Sequence, residues 1–247
     1  MDHGSASPER RRDDVRDAEA AWGESQPRRV LGAADLAKVV RRLPLAAALA
    51  HEALRDPRAV RIAMTAIRRH HALQKPIELI DYLRFVRARR VERVLEIGAL
   101  WGGMVFAHAA VASPRAHLIA IDKFPRESAD AMTARLRALV RPPQRVTCLW
   151  QDSHDPATVA AVREALDGPL DVLFLDGDHS ADGVARDFAL YEPLVRSGGA
   201  IAIHDIDAHT NDGVPAFWRA TRERYEYIEI VDRRHEPQGL GVGILLK

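Results

Sequence analysis

Between residues 93 and 205, short apolar runs alternate with longer segments whose apolar positions recur every three or four residues. The runs "RVLEIG" (93–98), "HLIAID" (117–122), "RVTCLW" (145–150), "DVLFLD" (171–176) and "AIAIHD" (200–205) are rich in Val, Ile and Leu and predict buried strands. The segments between them, about 102–112, 127–140, 156–166 and 181–196, predict helices. This alternation makes a parallel sheet with helices on both faces. Such sheets bind ligands beyond the carboxyl ends of their strands.

The two ends of the chain read differently. After a helix near 213–224 come "YEYIEIV" (225–231), a polar loop "DRRHEPQG" and "LGVGILLK" (240–247). A loop too short for a crossover helix makes this last pair antiparallel. Upstream, residues 30–90 carry helical spacing in "ADLAKVVRRL", "LAAALAHEAL", "AVRIAMTAIRRHH" and, after a proline suited to a first helical turn, "PIELIDYLRFVRARR". Residues 1–29 are charged and polar, with little to bury, which predicts disorder. The expected organisation is a disordered tail (1–29), an N-terminal helical cap (30–90) and an α/β domain (91–247).

Composition narrows the function classes. A formal net charge of +1 gives no electrostatic case for a nucleic acid or membrane partner. No apolar stretch nears the roughly 20 residues needed to span a bilayer, and "MDHGSASPERRRDD" has no signal-type apolar segment. The single cysteine, Cys148, precludes an internal disulfide and lies in an apolar run, as an inert core thiol does. A cytoplasmic protein is expected. Lysine occurs only at Lys38, Lys75, Lys123 and Lys247, which leaves few candidates for a lysine base.

Candidate chemistry gathers at the strand ends. Glu96 precedes a turn containing Gly98, Gly102 and Gly103 that opens a helix. Glycines let backbone approach a ligand, and a helix N-terminus favours a negative group, although a tight strand–helix connection reads the same way. Asp122 ends the second strand, at the spacing where an acid meets a ribose diol. Asp152 ends the third, with Ser153 beside it, and could accept from an exocyclic amine such as that of adenine. Read alone, "DSHDP" is a helix cap. Asp176 and Asp205 end the fourth and fifth strands and should sit side by side. Adjacent carboxylates repel unless protonated or bridged by a cation, and Mg²⁺ takes such oxygen ligands. His179, His204 and His209 lie close in sequence and titrate near neutrality.

This set of strand ends resembles that of class I S-adenosylmethionine-dependent methyltransferases. "VLEIGALWGG" is similar to their first cofactor motif. "DVLFLDGDHSADGVARDFALYEPLVRSGGAIAIHDI" more narrowly resembles methyltransferase family 24, small-molecule O-methyltransferases that include cephalosporin-biosynthesis-type and macrolide-sugar-type enzymes. "LQKPIELIDYL" and "GVPAFWRA" also look like that family, so the likeness covers about residues 73–247. It implies a Rossmann-like seven-stranded sheet in the order 3-2-1-4-5-7-6, with strand 7 antiparallel. It also implies that Glu96, Gly98 and Gly102 line the methionine part of the cofactor, that Asp122 binds ribose, and that Asp152 with Ser153 binds adenine. Metal-dependent relatives hold Mg²⁺ at the positions of Asp176 and Asp205. Ile206 stands where catechol-type relatives carry Asn, which leaves the third ligand to Asp207 or a histidine, or the protein without a metal. The catechol-type lysine is missing, and His179 is its nearest replacement.

The resulting expectation is methyl transfer from S-adenosylmethionine to a hydroxyl of a small molecule, with Mg²⁺ at Asp176 and Asp205 and with His179 or His209 as base. The helical cap is expected to cover the acceptor pocket and to offer a homodimer surface. Two alternatives stand beside this reading. One is a non-catalytic methyltransferase-fold binding protein in a biosynthetic complex. The other is a nicotinamide-dependent oxidoreductase, against which Leu100 takes the place of the second glycine of G-x-G-x-x-G.

Overall fold

The computed structural model describes residues 33–209, 213–235 and 240–247, with side chains from residue 43 onward. The tail expected over 1–29 lies outside the described residues. The chain divides into two compact units, Met1–Leu43 and Pro44–Lys247, and the fold below is that of the second.

Helix α1 (Ala33–Arg55) is followed by α2 (Pro57–His70) and α3 (Pro76–Arg87). Asp56 caps α2 by accepting from Ala59 N–H at 3.0 Å, which satisfies a backbone donor that the first turn leaves over. Prolines start both α2 and α3, where a missing N–H costs nothing. Then come β1 (Arg93–Ile97), α4 (Gly103–Val111), β2 (His117–Ile121), α5 (Ala129–Leu139), β3 (Arg145–Leu149), α6 (Pro156–Ala165), β4 (Leu170–Leu175), α7 (Ala181–Tyr191), β5 (Val195–His204), α8 (Gly213–Thr221), β6 (Glu226–Ile230) and β7 (Val242–Leu246). Pro193 ends α7 early in a short 3₁₀ turn (Glu192–Leu194), so β5 begins before the run expected from residue 200.

The seven strands order as β3-β2-β1-β4-β5-β7-β6. All pairs are parallel except β5–β7 and β6–β7, which are antiparallel. The sheet is the Rossmann-like one expected from the sequence.

Successive side chains of a strand point to opposite faces, and the core divides accordingly. Leu95, Ile97, Leu173, Leu175, Ile201 and Ile203 face one side, packed with α6, α7 and α8. Val94, Val172, Phe174, Ala200 and Ala202 face the other, with α2, α3 and α4. Leu79, Tyr82, Leu83 and Val86 of α3 are fully buried in that second cluster. Residues 57–87 therefore build one face of the sheet domain's core. The same alternation sends Glu96, Asp176 and His204 toward the α3 side, at the carboxyl ends of three neighbouring strands.

Candidate active site

A cavity of about 640 Å³ opens at the carboxyl edge of the sheet, lined from the ends of all five parallel strands. Its floor is the turn after β1. Gly98 has φ +93°, and a Cβ there would stand 2.0 Å from the Asp176 carbonyl oxygen. Only glycine permits this close approach of β1 and β4. Leu100, also left-handed at φ 47°, donates its N–H to Asp122 Oδ2 at 2.8 Å, and Phe124 N–H donates to Asp122 Oδ1 at 2.8 Å. Asp122 thus ties the glycine turn to the loop after β2. Gly98 and Gly103 line the cavity. Gly102 does not: it caps α4 at φ +85° and faces Leu136 and Leu139.

Asp152 is an exposed wall of the cavity, 3.5 Å from Lys123 Nζ. It accepts from His154 N–H at 2.9 Å, which, aided by Lys123, lowers its pKa. Ser153 also lines the cavity, but its carbonyl accepts from Tyr191 O–H at 2.7 Å and its side chain bonds buried Asp187. Ser153 is thereby anchored to α7.

Register places the other end of the site. Leu175 pairs with Ile203, so the next pair is Asp176 beside His204, not Asp176 beside Asp205. His204 Nδ1 lies 3.0 Å from Asp176 Oδ1 and 3.2 Å from Asp205 Oδ1. Burial alone would lower the His204 pKa, but Asp176, Asp205 and Glu78 outweigh it and raise it to about 9. An imidazolium here sits between the two acids and offsets one of their two negative charges. Asp205 adopts φ 65°, a left-handed conformation that Asp tolerates better than most residues. Its Oδ2 lies 2.8 Å from His179 Nδ1. That contact raises the His179 pKa against the opposing effect of burial.

His179 lines the cavity, whereas His209 is exposed and away from its wall. Asp207 is held by Arg233 at 2.6 and 3.0 Å, which ties up the acid considered as a third ligand. Asp178 accepts from Ser180 N–H at 2.9 Å, a local turn before α7. One ligand atom each from Asp176, His179 and Asp205 falls within 4.8 Å of the others. Two carboxylates and an imidazole fit a divalent cation that accepts nitrogen, such as Mn²⁺ or Zn²⁺, better than Mg²⁺ with its preference for oxygen.

Three polar side chains spaced four apart, Gln74, Glu78 and Tyr82, support the site from the α3 side, and sequence reasoning gave none of them a role. Gln74 Nε2 donates to Asp176 Oδ2 at 2.9 Å. Glu78, fully buried, accepts from Asp232 N–H at 3.0 Å and Gly241 N–H at 3.1 Å; burial, outweighing those bonds, raises its pKa. It thereby holds both ends of the β6–β7 connection beside Leu240, a cavity residue. Tyr82 reaches Glu96 through His108, also without a sequence signal beyond the helical spacing.

A parallel sheet closed by an antiparallel hairpin, with acids at successive strand ends around one cavity, defines a class I methyltransferase fold. Residues 95–206 match the model of methyltransferase family 24, described as a methyltransferase domain. No curated protein sequence matches the chain. Among solved structures, the O-methyltransferase TomG from Streptomyces achromogenes, involved in tomaymycin synthesis and bound to SAM, is 19% identical over 76% of this chain and 88% of its own, with a TM-score of 0.51. MycE, from the mycinamycin biosynthetic pathway and in complex with Mg, SAH and mycinamycin VI, is 18% identical over 89% of this chain and 64% of its own, with a TM-score of 0.54. An rRNA methylase from Streptococcus thermophilus is 11% identical over 71% and 98%, with a TM-score of 0.51. At these identities the likeness establishes the fold.

Proposed function

We propose that the protein transfers a methyl group from S-adenosylmethionine to a hydroxyl of a small molecule, with His179 as proton acceptor. The observation that carries this reading is the His179–Asp205 pair, 2.8 Å apart, in the same cavity as Glu96, Asp122 and Asp152. TomG and MycE supply a precedent for natural-product acceptors on this fold. The near-zero net charge disfavours the nucleic acid acceptor of the rRNA methylase.

S-adenosylmethionine, when bound, supplies a sulfonium-linked methyl that needs no further activation. Glu96 and the Gly98 turn would hold its amino-acid end, Asp122 its ribose hydroxyls, and Asp152 with Ser153 its adenine amine. The chain's remaining tasks are to align the acceptor oxygen and to remove its proton. His179 would take that proton at Nε2 while Nδ1–H donates to Asp205 Oδ2, so the carboxylate stabilises the imidazolium formed. Asp176, restrained by Gln74 and His204, would orient the acceptor hydroxyl. A divalent cation held by Asp176, His179 and Asp205 would lower the pKa of that hydroxyl. It would also compete with the proton for His179, so the two modes exclude each other at this residue.

The test is methyl transfer to a panel of sugar, phenol and macrolide hydroxyls, run after chelation by EDTA and again with Mg²⁺ or Mn²⁺ restored. Transfer to a hydroxyl that survives chelation supports His179 acting alone. Transfer that returns only with a cation assigns His179 to the cation. Binding of S-adenosylhomocysteine without turnover on any hydroxyl, or transfer only to nitrogen or carbon, would overturn the proposal.

A further inference from the structure

Beneath the cavity floor, a chain of buried polar groups runs from Glu96 to His108 and Tyr82, two residues that the methyl-transfer scheme does not use. Glu96 Oε2 is 3.1 Å from His108 Nδ1, and His108 Nε2 is 2.8 Å from the Tyr82 hydroxyl. Glu96 is 2% exposed, and His108 and Tyr82 are not exposed at all. Phe174 of β4 packs against both rings, with centroids 5.4 Å from each, so neither ring can turn without disturbing the core. Three elements supply the chain: β1 gives Glu96, α4 gives His108 and α3 gives Tyr82.

With Glu96 ionised and His108 neutral, the hydrogen inventory of this chain has one solution. A carboxylate only accepts, so His108 must carry its proton on Nδ1. The neutral ring then has a lone pair on Nε2, and only a Tyr82 O–H can satisfy it. Burial raises the Tyr82 pKa well above its ordinary value, which keeps the phenol a donor. Every bond in the chain therefore points toward Glu96. Its second oxygen, Oε1, is buried, has no hydrogen-bond partner among the described residues, and belongs to a residue of the cavity wall. A buried carboxylate oxygen left without a donor costs about 1–3 kcal/mol or more, so this arrangement suits a ligand that brings a cation or a strong N–H donor.

We propose that Tyr82 and His108 are positioning residues that hold Glu96 as an oriented carboxylate, with Oε1 presented to the α-ammonium of the cofactor's amino-acid end. The inference rests on reading the cavity as an S-adenosylmethionine site. It adds a reason why affinity for the amino-acid end depends on a helix outside the sheet's strand–turn–helix unit. His108 works by hydrogen bonding and by orientation, and Tyr82 by fixing which nitrogen of His108 carries the proton. Without that support, the burial that already pushes the Glu96 pKa up is no longer opposed by His108, and the carboxyl would take up a proton and lose its hold on an ammonium.

The test compares two ligands on the full chain by calorimetry: S-adenosylhomocysteine, and its deaminated analogue 5′-S-(3-carboxypropyl)-5′-thioadenosine. Wild type should bind the first at least tenfold more tightly. His108→Leu and Tyr82→Phe should erase most of that preference while leaving affinity for the analogue within about twofold. His108→Gln, which can still donate to Glu96 and accept from Tyr82, should restore it. The loss in His108→Leu should be larger at pH 6 than at pH 9. Thermal melting of the unliganded variants shows whether they fold, and His108→Gln keeps the test open should the leucine variant not. Equal loss for both ligands, or an unchanged preference in both variants, would overturn the proposal and leave the cofactor reading standing. A wild type that binds neither ligand would overturn both.

Discussion

Buried His204 and half-buried Asp176 form an ion pair across neighbouring strands, with Nδ1 3.0 Å from Oδ1. The groups facing this imidazole come from four places: Asp176 after β4, Asp205 after β5, Glu78 on α3 and His179, whose charge opposes it. The acids outweigh burial and raise the His204 pKa from 6.5 to about 9. A folded pKa above the unfolded one gives stability that is fully present below the unfolded value and lost as pH rises through the folded value. In chelated protein, the melting-temperature advantage of wild type over His204→Asn should therefore be greatest below about pH 6.5. It should shrink as pH rises through about 9. A constant difference from pH 6 to pH 10 would argue that His204 is neutral in the folded protein.

On sequence His179 stands ahead of His209 as the candidate base, and the two occupy different places in the structure. His179 lines the cavity with Nδ1 against Asp205, while His209 is exposed outside it. His179→Ala should lower kcat by about 10²–10⁴, with the affinity for S-adenosylhomocysteine unchanged. His209→Ala should leave both within about twofold. Rate measurements with saturating acceptor decide this. Comparable losses in the two variants would move the base away from the His179–Asp205 pair.

Much of this site could be read along the strands. The apolar runs gave the strand ends, and the strand ends gave Glu96, Asp122, Asp152, Asp176 and Asp205. The cross-strand partner was harder. Side-by-side repeats suggested Asp176 next to Asp205, but the β4–β5 register sets Asp176 beside His204 and the left-handed turn at Asp205 carries its carboxylate on to His179. Gly98 and Gly102 looked equivalent in the motif, yet one touches the cavity and the other caps a helix against α5. What stayed hidden was contact made at long range. Glu78 and Tyr82 read as one stripe of an ordinary amphipathic helix, and Gln74 as part of the segment leading into it. Their partners lie just after β4, on the β6–β7 connection and on α4, and helical periodicity does not say which sheet face will cover the helix.

Gln74, just ahead of α3, is the nearest of the three to the proposed chemistry. Its Nε2 donates to Asp176 Oδ2 at 2.9 Å, and the residue is buried. A hydrogen bond to a charged group contributes about 1.5–3 kcal/mol, so Gln74→Leu should reduce kcat by roughly 10–100-fold with little change in cofactor affinity. Gln74→Glu sets a carboxylate against Asp176, and like charges this close raise one pKa of the pair. Its activity should fall further than that of the leucine variant at pH 7 and recover somewhat as pH falls. An activity for Gln74→Glu equal to wild type would show that Asp176 does not depend on this donor.

The packing of the β1 turn against β4 makes a separate prediction about stability. Gly98 combines φ +93° with a carbonyl 2.0 Å from where a Cβ would stand. The Asp176 backbone cannot easily withdraw, because its N–H donates to the Ile97 carbonyl at 2.9 Å. Gly198 serves as a control, with φ +73° and only a flexible Arg196 guanidinium nitrogen at 3.2 Å. An alanine at Gly198 bears the left-handed backbone cost, about 1–2 kcal/mol. Gly98→Ala bears that cost and must also force the ends of β1 and β4 away from each other, so urea unfolding should show at least about 2 kcal/mol more destabilisation than for Gly198→Ala. Because the strand that must move carries Asp176, methyl transfer should fall in Gly98→Ala under conditions where both variants remain folded. Equal unfolding free energies for the two would mean that the strand ends separate readily, and the cavity floor would then be softer than its geometry implies.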